Sequence, residues 1–175
     1  ILVESGTTAI EGSEIANNQA DQGQSGIIVG SEGTVNIINS TIANNRGRSI
    51  AGIDNNGRLN ITSSTIVGNN GGLNGGGLVN SAQANLISNI VANNVGGENI
   101  GDISGSGESI SSGNNLIGNG DNVDGFVNGE NDDLVGTKDA PIDPQLGELQ
   151  NNGGITQTFA LKESSPAIDA GNAPS

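Results

Sequence analysis

Residues 35–45 read VNIINSTIANN, a pattern of Val35-x-Ile37-x-x-Ser40-x-Ile42-x-x-Asn45. The same residue classes return at Leu59, Ile61, Ser64, Ile66 and Asn69, and earlier at Thr8, Ile10, Ser13, Ile15 and Asn18. Two later copies fit when one residue is dropped. They are Ala84, Leu86, Ser88, Ile90, Asn93, and Ile110, Ser112, Asn114, Leu116, Asn119. Ile42, Ile66 and Ile90 are 24 residues apart. A period of this length marks one supersecondary unit copied along a solenoid or array. A second series, Ile28, Ile53, Leu78 and Ile103, recurs every 25 residues, and Gly52 and Gly77 precede its middle members.

Apolar residues two apart place their side chains on one face of a strand, and the β-branched content agrees. No window sustains an i, i+3, i+4, i+7 stripe, and the 30 glycines disfavour helix. Short strands divided by Gly/Asn/Ser turns within about 24 residues describe one coil of a parallel β-helix. The expected fold is therefore all-β, a parallel solenoid of about 24-residue coils with equivalent side chains stacked. Ile42 is expected on Ile66, and Ile66 on Ile90. The recurrent asparagine tolerates a left-handed corner, and its amide reaches the neighbouring coil. Asn18, Asn45, Asn69, Asn93 and Asn119 are the expected ladder.

Composition narrows the function. Of 175 residues 32% are hydrophobic, with two Phe and no Trp, Tyr or Met, so the core must be built from Ile, Leu and Val stacks. Five Lys and Arg against 19 Asp and Glu give a net charge of −14, which excludes a phosphate-binding surface for nucleic acid. The absence of Cys removes disulfides, thiolate metal sites and a Cys nucleophile. The absence of His removes His-based triads and most transition-metal sites. No stretch approaches a transmembrane span. Ile1 opens directly into repeat-like sequence without a basic leader, so the chain reads as a fragment or processed piece.

Residues 1–140 are the expected coils. Within them 96–140 are looser and rich in Gly, Asn and Asp. Eleven of the 19 acidic residues lie between Glu98 and Glu148, with only Lys138 to balance them. Residues 141–175 differ again and are expected to cap the solenoid, since a terminal unit must cover the open core and blunt the sheet edge. Leu146, Leu149, Ile155, Phe159, Leu161 and Ile168 are the candidates for that role.

Catalytic chemistry finds little support. A lyase acting on uronic acids needs a basic residue, and a glycosidase needs converging carboxylates. Arg46, Arg48 and Arg58 are the only cations on the regular coils, with Asp54 their nearest acidic neighbour. The residue 24 beyond Arg48 is Gly72, so no basic column forms. Asp121, Asp124, Glu130, Asp132 and Asp133, with Asp139 nearby, offer hard oxygen ligands on flexible backbone, as Ca²⁺ prefers. Their spacing matches neither an EF-hand loop nor a nonapeptide calcium repeat, and solvated acidic loops are the alternative. Exposed aromatic platforms for sugars are missing.

The C-terminal stretch carries a resemblance. Asp143-Pro144-Gln145-Leu146-Gly147, Leu149, Asn152-Gly153-Gly154, Thr156-Gln157-Thr158 and Ser165-Pro166-Ala167-Ile168-Asp169-Ala170-Gly171 resemble the closing signature of choice-of-anchor Q proteins. The preceding Asn114-Asn115-Leu116-Ile117-Gly118 is similar to that pattern too. The resemblance implies a right-handed, pectate-lyase-like β-helix on a bacterial surface protein or in a secreted one, and no established catalytic activity. The functional expectation is a non-enzymatic structural or adhesive segment. Its partners would be extracellular matrix, cell-surface polysaccharide or like chains. The alternatives are a polysaccharide-binding or polysaccharide-degrading domain and a fibre-forming matrix component.

Overall fold

The computed structural model describes residues 1–97 and 100–171. These build a parallel β-solenoid of about five turns, with coils about 25 residues apart. Two parallel sheets run along it, and a narrow third strip joins Gln19–Ala20 to Arg46–Gly47. Sheet 1 begins with two long strands, Leu2–Glu11 and Ile27–Ile38. From the third coil each strand is broken in two, first as Ile53–Asn55 and Arg58–Thr62, then as Leu78–Asn80 and Gln83–Ile87. Asparagine makes the break. Asn55 Oδ1 accepts from Gly57 N, and Asn80 Oδ1 accepts from Ala82 N. Such a side chain mimics a backbone turn and bends the strand. Sheet 2 is six-stranded and stacks Glu14–Ala16, Thr41–Ala43, Thr65–Val67, Ile90–Ala92, Leu116–Ile117 and Leu134–Val135.

Alternation along each strand sends every second side chain inward. The inward residues form columns: Ile10–Ile37–Ile61–Leu86, Val35–Leu59–Ala84 and Ile27–Ile53–Leu78–Ile103. Sheet 2 adds Ile15–Ile42–Ile66–Val91–Ile117. The columns merge into one buried cluster. Each fully buried Ile or Leu contributes about 1.5–3 kcal/mol.

Two expected stacks shift by one residue. Ile66 lies on Val91, while Ile90 pairs with Thr65 and faces outward. Ile27, not Ile28, stacks on Ile53. A slip of one position moves a side chain to the opposite face, so the buried member of each pair is fixed by the ladder register. The fourth repeat contains no deletion. Ala84, Leu86, Asn89, Val91 and Asn94 reproduce the spacing of Val35, Ile37, Ser40, Ile42 and Asn45, with Asn89 in the serine position.

A glycine column, Gly26–Gly52–Gly77, precedes the Ile27–Ile53–Leu78 stack. A Cβ at Gly52 would run into the carbonyl oxygens of Gly77 and Gly76, so side chains are excluded where successive coils approach most closely.

Toward the C-terminal end Phe126 is buried in the core cluster, with Val123 and Val135 packed against it. Phe159, the expected ring at the core end, is only half-buried. It lies instead in an antiparallel hairpin of Leu146–Gln150 and Thr158–Leu161. Leu146 and Leu149 are half-buried in that hairpin, whereas Ile155, Leu161 and Ile168 are exposed. The last four residues of the 141–175 segment lie outside the described residues.

Candidate functional site

The most organised polar chemistry lies inside the solenoid. One ladder runs Asn18–Asn45–Asn69–Asn94–Asp102. At each step the backbone N and the Nδ2 of one rung donate to the side-chain oxygen of the next. The distances are 3.1 and 2.9 Å from Asn45 to Asn69, and 2.8 and 2.9 Å from Asn94 to Asp102. The Nδ2 groups of Asn45, Asn69 and Asn94 also donate to a carbonyl of the preceding coil, at Ile15, Ile42 and Ile66 in turn. Asn45 and Asn69 are fully buried, so these bonds satisfy groups that would otherwise be costly.

A second ladder runs Ser13–Ser40–Ser64–Asn89–Asn115–Asp133. Each backbone N donates to the next side-chain oxygen at 2.8 to 3.1 Å. A third, at the bend of sheet 1, links Asn55 to Asn80 and Asn80 to Ser109. Serine and asparagine interchange in the second ladder because each offers an acceptor oxygen at the same reach.

The residue before each asparagine rung of the first ladder, and before every rung of the second, takes the left-handed conformation. In the first ladder these are Asn17, Asn44, Gly68 and Asn93, with φ between 56° and 71°. Corner and rung are thus adjacent residues with separate tasks. Asn18, Asn45 and Asn69 are rungs as expected from the repeat. Asn93 is a corner (φ 57°), and the rung is Asn94. Asn119 is not a rung either. Its N donates to Asp102 Oδ2 at 2.7 Å, and its own Oδ1 accepts from Asp121 N.

Both long ladders end in an aspartate. Asp102 is 4% exposed, and its carboxylate joins two coils, with Oδ1 accepting from Asn94 and Oδ2 from Asn119. Burial pushes its carboxyl above the usual 3.8, against the lowering effect of the Asn94 and Asn119 backbone N–H groups and the Asn94 amide. Asp133 is 1% exposed; its Oδ1 accepts from Asn115 N and Nδ2, and its Oδ2 is buried without a partner.

This inward rung role separates Asp133 from the acidic loop residues expected to share a calcium site with it. Asp124, Glu130, Asp132 and Asp139 are exposed, while Asp121 is half-buried and accepts from Lys138 N at 2.8 Å. Among the described residues no three carboxylates converge as a metal cage.

On the outer surface Arg46, Arg48 and Arg58 are exposed, and Arg48 donates to Gln22 Oε1 at 3.2 Å. Arg58 borders an open groove of about 470 Å³ at the bend of sheet 1, together with Glu32, Thr34, Asn56 and Gln83. Asp54 is 7% exposed and accepts from Gln24 and Asn56 side chains. Beside the groove, Asn36, Asn60 and Asn85 form an outward column in which Asn60 Nδ2 donates to Asn36 Oδ1 at 2.8 Å.

The rungs Asn89, Asn115, Asp102 and Asp133 were not evident from the repeat pattern. The signal for the first two was present: they stand 25 and 26 residues beyond the previous rung. Fold and interior together define the class of protein as a parallel β-solenoid organised by polar ladders. Comparison with protein-family models, curated proteins and solved structures gave no match. No helix among the described residues is long and apolar enough to cross a membrane.

Proposed function

We propose that this chain is a rigid, non-enzymatic spacer or display segment of a secreted or cell-surface bacterial protein. The observation that supports this reading is the continuity of the ladders. A buried, hydrogen-bonded rung joins each coil to the next, beside uninterrupted apolar columns. Such an interior resists bending and sliding between coils, because either motion would leave buried amides unpaired. The acidic loops of residues 121–139 are then displayed at one end, where matrix, cell-surface polysaccharide or like chains are the partners.

The test uses the absence of cysteine. Spin labels at Glu32→Cys and Asp124→Cys report the distance along the stack. A stiff spacer gives one narrow distance distribution that persists until cooperative unfolding. A broad distribution under native conditions would remove the basis for the spacer reading.

A second reading, polysaccharide binding on sheet 1, rests on the Asn36–Asn60–Asn85 column and the Arg58 groove. Outward amides at strand spacing suit sugar hydroxyls, and Arg58 suits a sugar carboxylate. Titration with neutral and acidic polysaccharides tests it. Binding that survives Arg58→Ala together with Asn60→Ala would count against this face.

A further inference from the structure

The outward column of sheet 2 changes chemistry along the stack. It reads Glu14, Thr41, Thr65, and then Ile90, Leu116 and Leu134. Outward positions on a solvated sheet are ordinarily polar. Leu116, however, is 3% exposed, and Ile90 and Leu134 are half-buried. What covers them is the C-terminal segment. Leu161, Ala167 and Ala170 share a cavity of about 80 Å³ with Ile90, Leu116 and Leu134. At the same end, Asn114 Nδ2 donates to Ala170 O at 3.1 Å. At the opposite end of the stack, Gln157 N donates to Glu14 Oε2 at 3.0 Å, across 143 residues of sequence. The C-terminal segment therefore runs along the stacking direction, with Gln157 in its hairpin loop bonded to the first coil and Ala170 bonded to the coil of Asn114.

In a bare solenoid each unit meets only its neighbours, and stability is a sum of nearest-neighbour terms. The first coil can then open without any effect at the far end. We propose that residues 141–171 act as a longitudinal staple that couples the first coil of the solenoid to the last ones. Opening at either end loosens the hairpin and is felt at the other. This rests on the packing of the hairpin and is independent of the spacer reading.

Hydrogen exchange on the full chain tests it. Ala170→Asp puts a charge into the seam against Leu116 and Leu161. Exchange at Gly12 N and Asn17 N, whose partners are Ile38 O and Ala43 O in the second coil, should accelerate by about fivefold or more. The buried mid-stack amides of Ser64 and Asn69 should change less. The reciprocal variant, Glu14→Ala, cuts the tie at the first coil, and should accelerate exchange at Leu134 N and Gly136 N. It carries the test by itself if Ala170→Asp does not fold. Acceleration confined to the mutated end in Glu14→Ala would overturn the proposal.

Discussion

Two adjacent asparagines, Asn93 and Asn94, should respond oppositely to loss of their side chains. Asn93 is exposed and holds a left-handed corner, a conformation glycine adopts freely. Gly68 occupies the equivalent corner one coil earlier. Asn93→Gly should therefore change stability by no more than about 0.5 kcal/mol, the cost of added freedom in the unfolded chain. Asn94→Ala is different. Its Oδ1 accepts from Asn69 N and Nδ2, both at 3.0 Å, and its Nδ2 donates to Ile66 O at 2.9 Å and Asp102 Oδ1 at 2.9 Å. Removing it leaves two groups without their acceptor, Asn69 N and one N–H of the Asn69 amide, while Ile66 O keeps its ladder bond to the Ile90–Ala92 strand. At about 1–3 kcal/mol for each unpaired buried group, the expected loss is about 2–5 kcal/mol. Urea unfolding provides the assay. With a slope of about 2 kcal/mol/M, the Asn94→Ala midpoint should fall by about 1–2.5 M, with the slope unchanged. Equal damage from Asn93→Gly would refute the division of labour between corner and rung.

The two terminal aspartates should also differ. Asp102→Asn leaves one set of donors, from Asn94 or from Asn119, facing an NH₂ group, whereas Asp133 Oδ2 has no partner to lose. Urea midpoints should place Asp133→Asn above Asp102→Asn; the reverse order would contradict the bridging role. Asp102 also sets a pH dependence. Because its carboxyl is raised in the folded state, the folded chain takes up a proton where the unfolded chain does not. Its contribution to stability should improve as pH falls through the raised value, and be complete below the ordinary 3.8. The melting temperature of the wild type minus that of Asp102→Asn should rise on acidification over this window, and a flat difference would speak against it. Gly52→Ala places a methyl against the carbonyls of Gly76 and Gly77. It should cost about 3 kcal/mol or more, within the range for severe strain and overpacking. A thermal melt indistinguishable from wild type would show that the coils can separate there.

Much of this architecture was legible because the repeat is read by alternation. Val35, Ile37 and Ile42, with Ser40 and Asn45, mark both faces of a coil, and three copies keep the spacing without a gap. The fourth copy was misread where serine gives way to asparagine. Ser88 matches the expected residue type, but Asn89 supplies the acceptor, so the apparent register slipped and took Val91 and Asn94 with it. The ends of the ladders were less legible for a different reason. Asp102 follows Asn94 by only eight residues, and no period connects them. The acidic stretch hid Asp133 among exposed neighbours of the same type. The path of residues 141–171 along sheet 2 depends on Ile90, Leu116 and Leu134, whose outward orientation needs the register to be known first.

The direction of the first ladder has an electrostatic consequence. At Asn45, Asn69 and Asn94 the amide oxygen faces the preceding coil, while the backbone N–H and one amide N–H face the next. These amide dipoles are aligned rather than alternating, so their fields add along the axis, as peptide dipoles do in a helix. The positive end of the column points toward the C-terminal coils, where the carboxylate of Asp102 receives it. The solenoid interior is thereby a polarised rod whose buried anion sits at its electropositive end, the counterpart of an acidic residue capping a helix N-terminus.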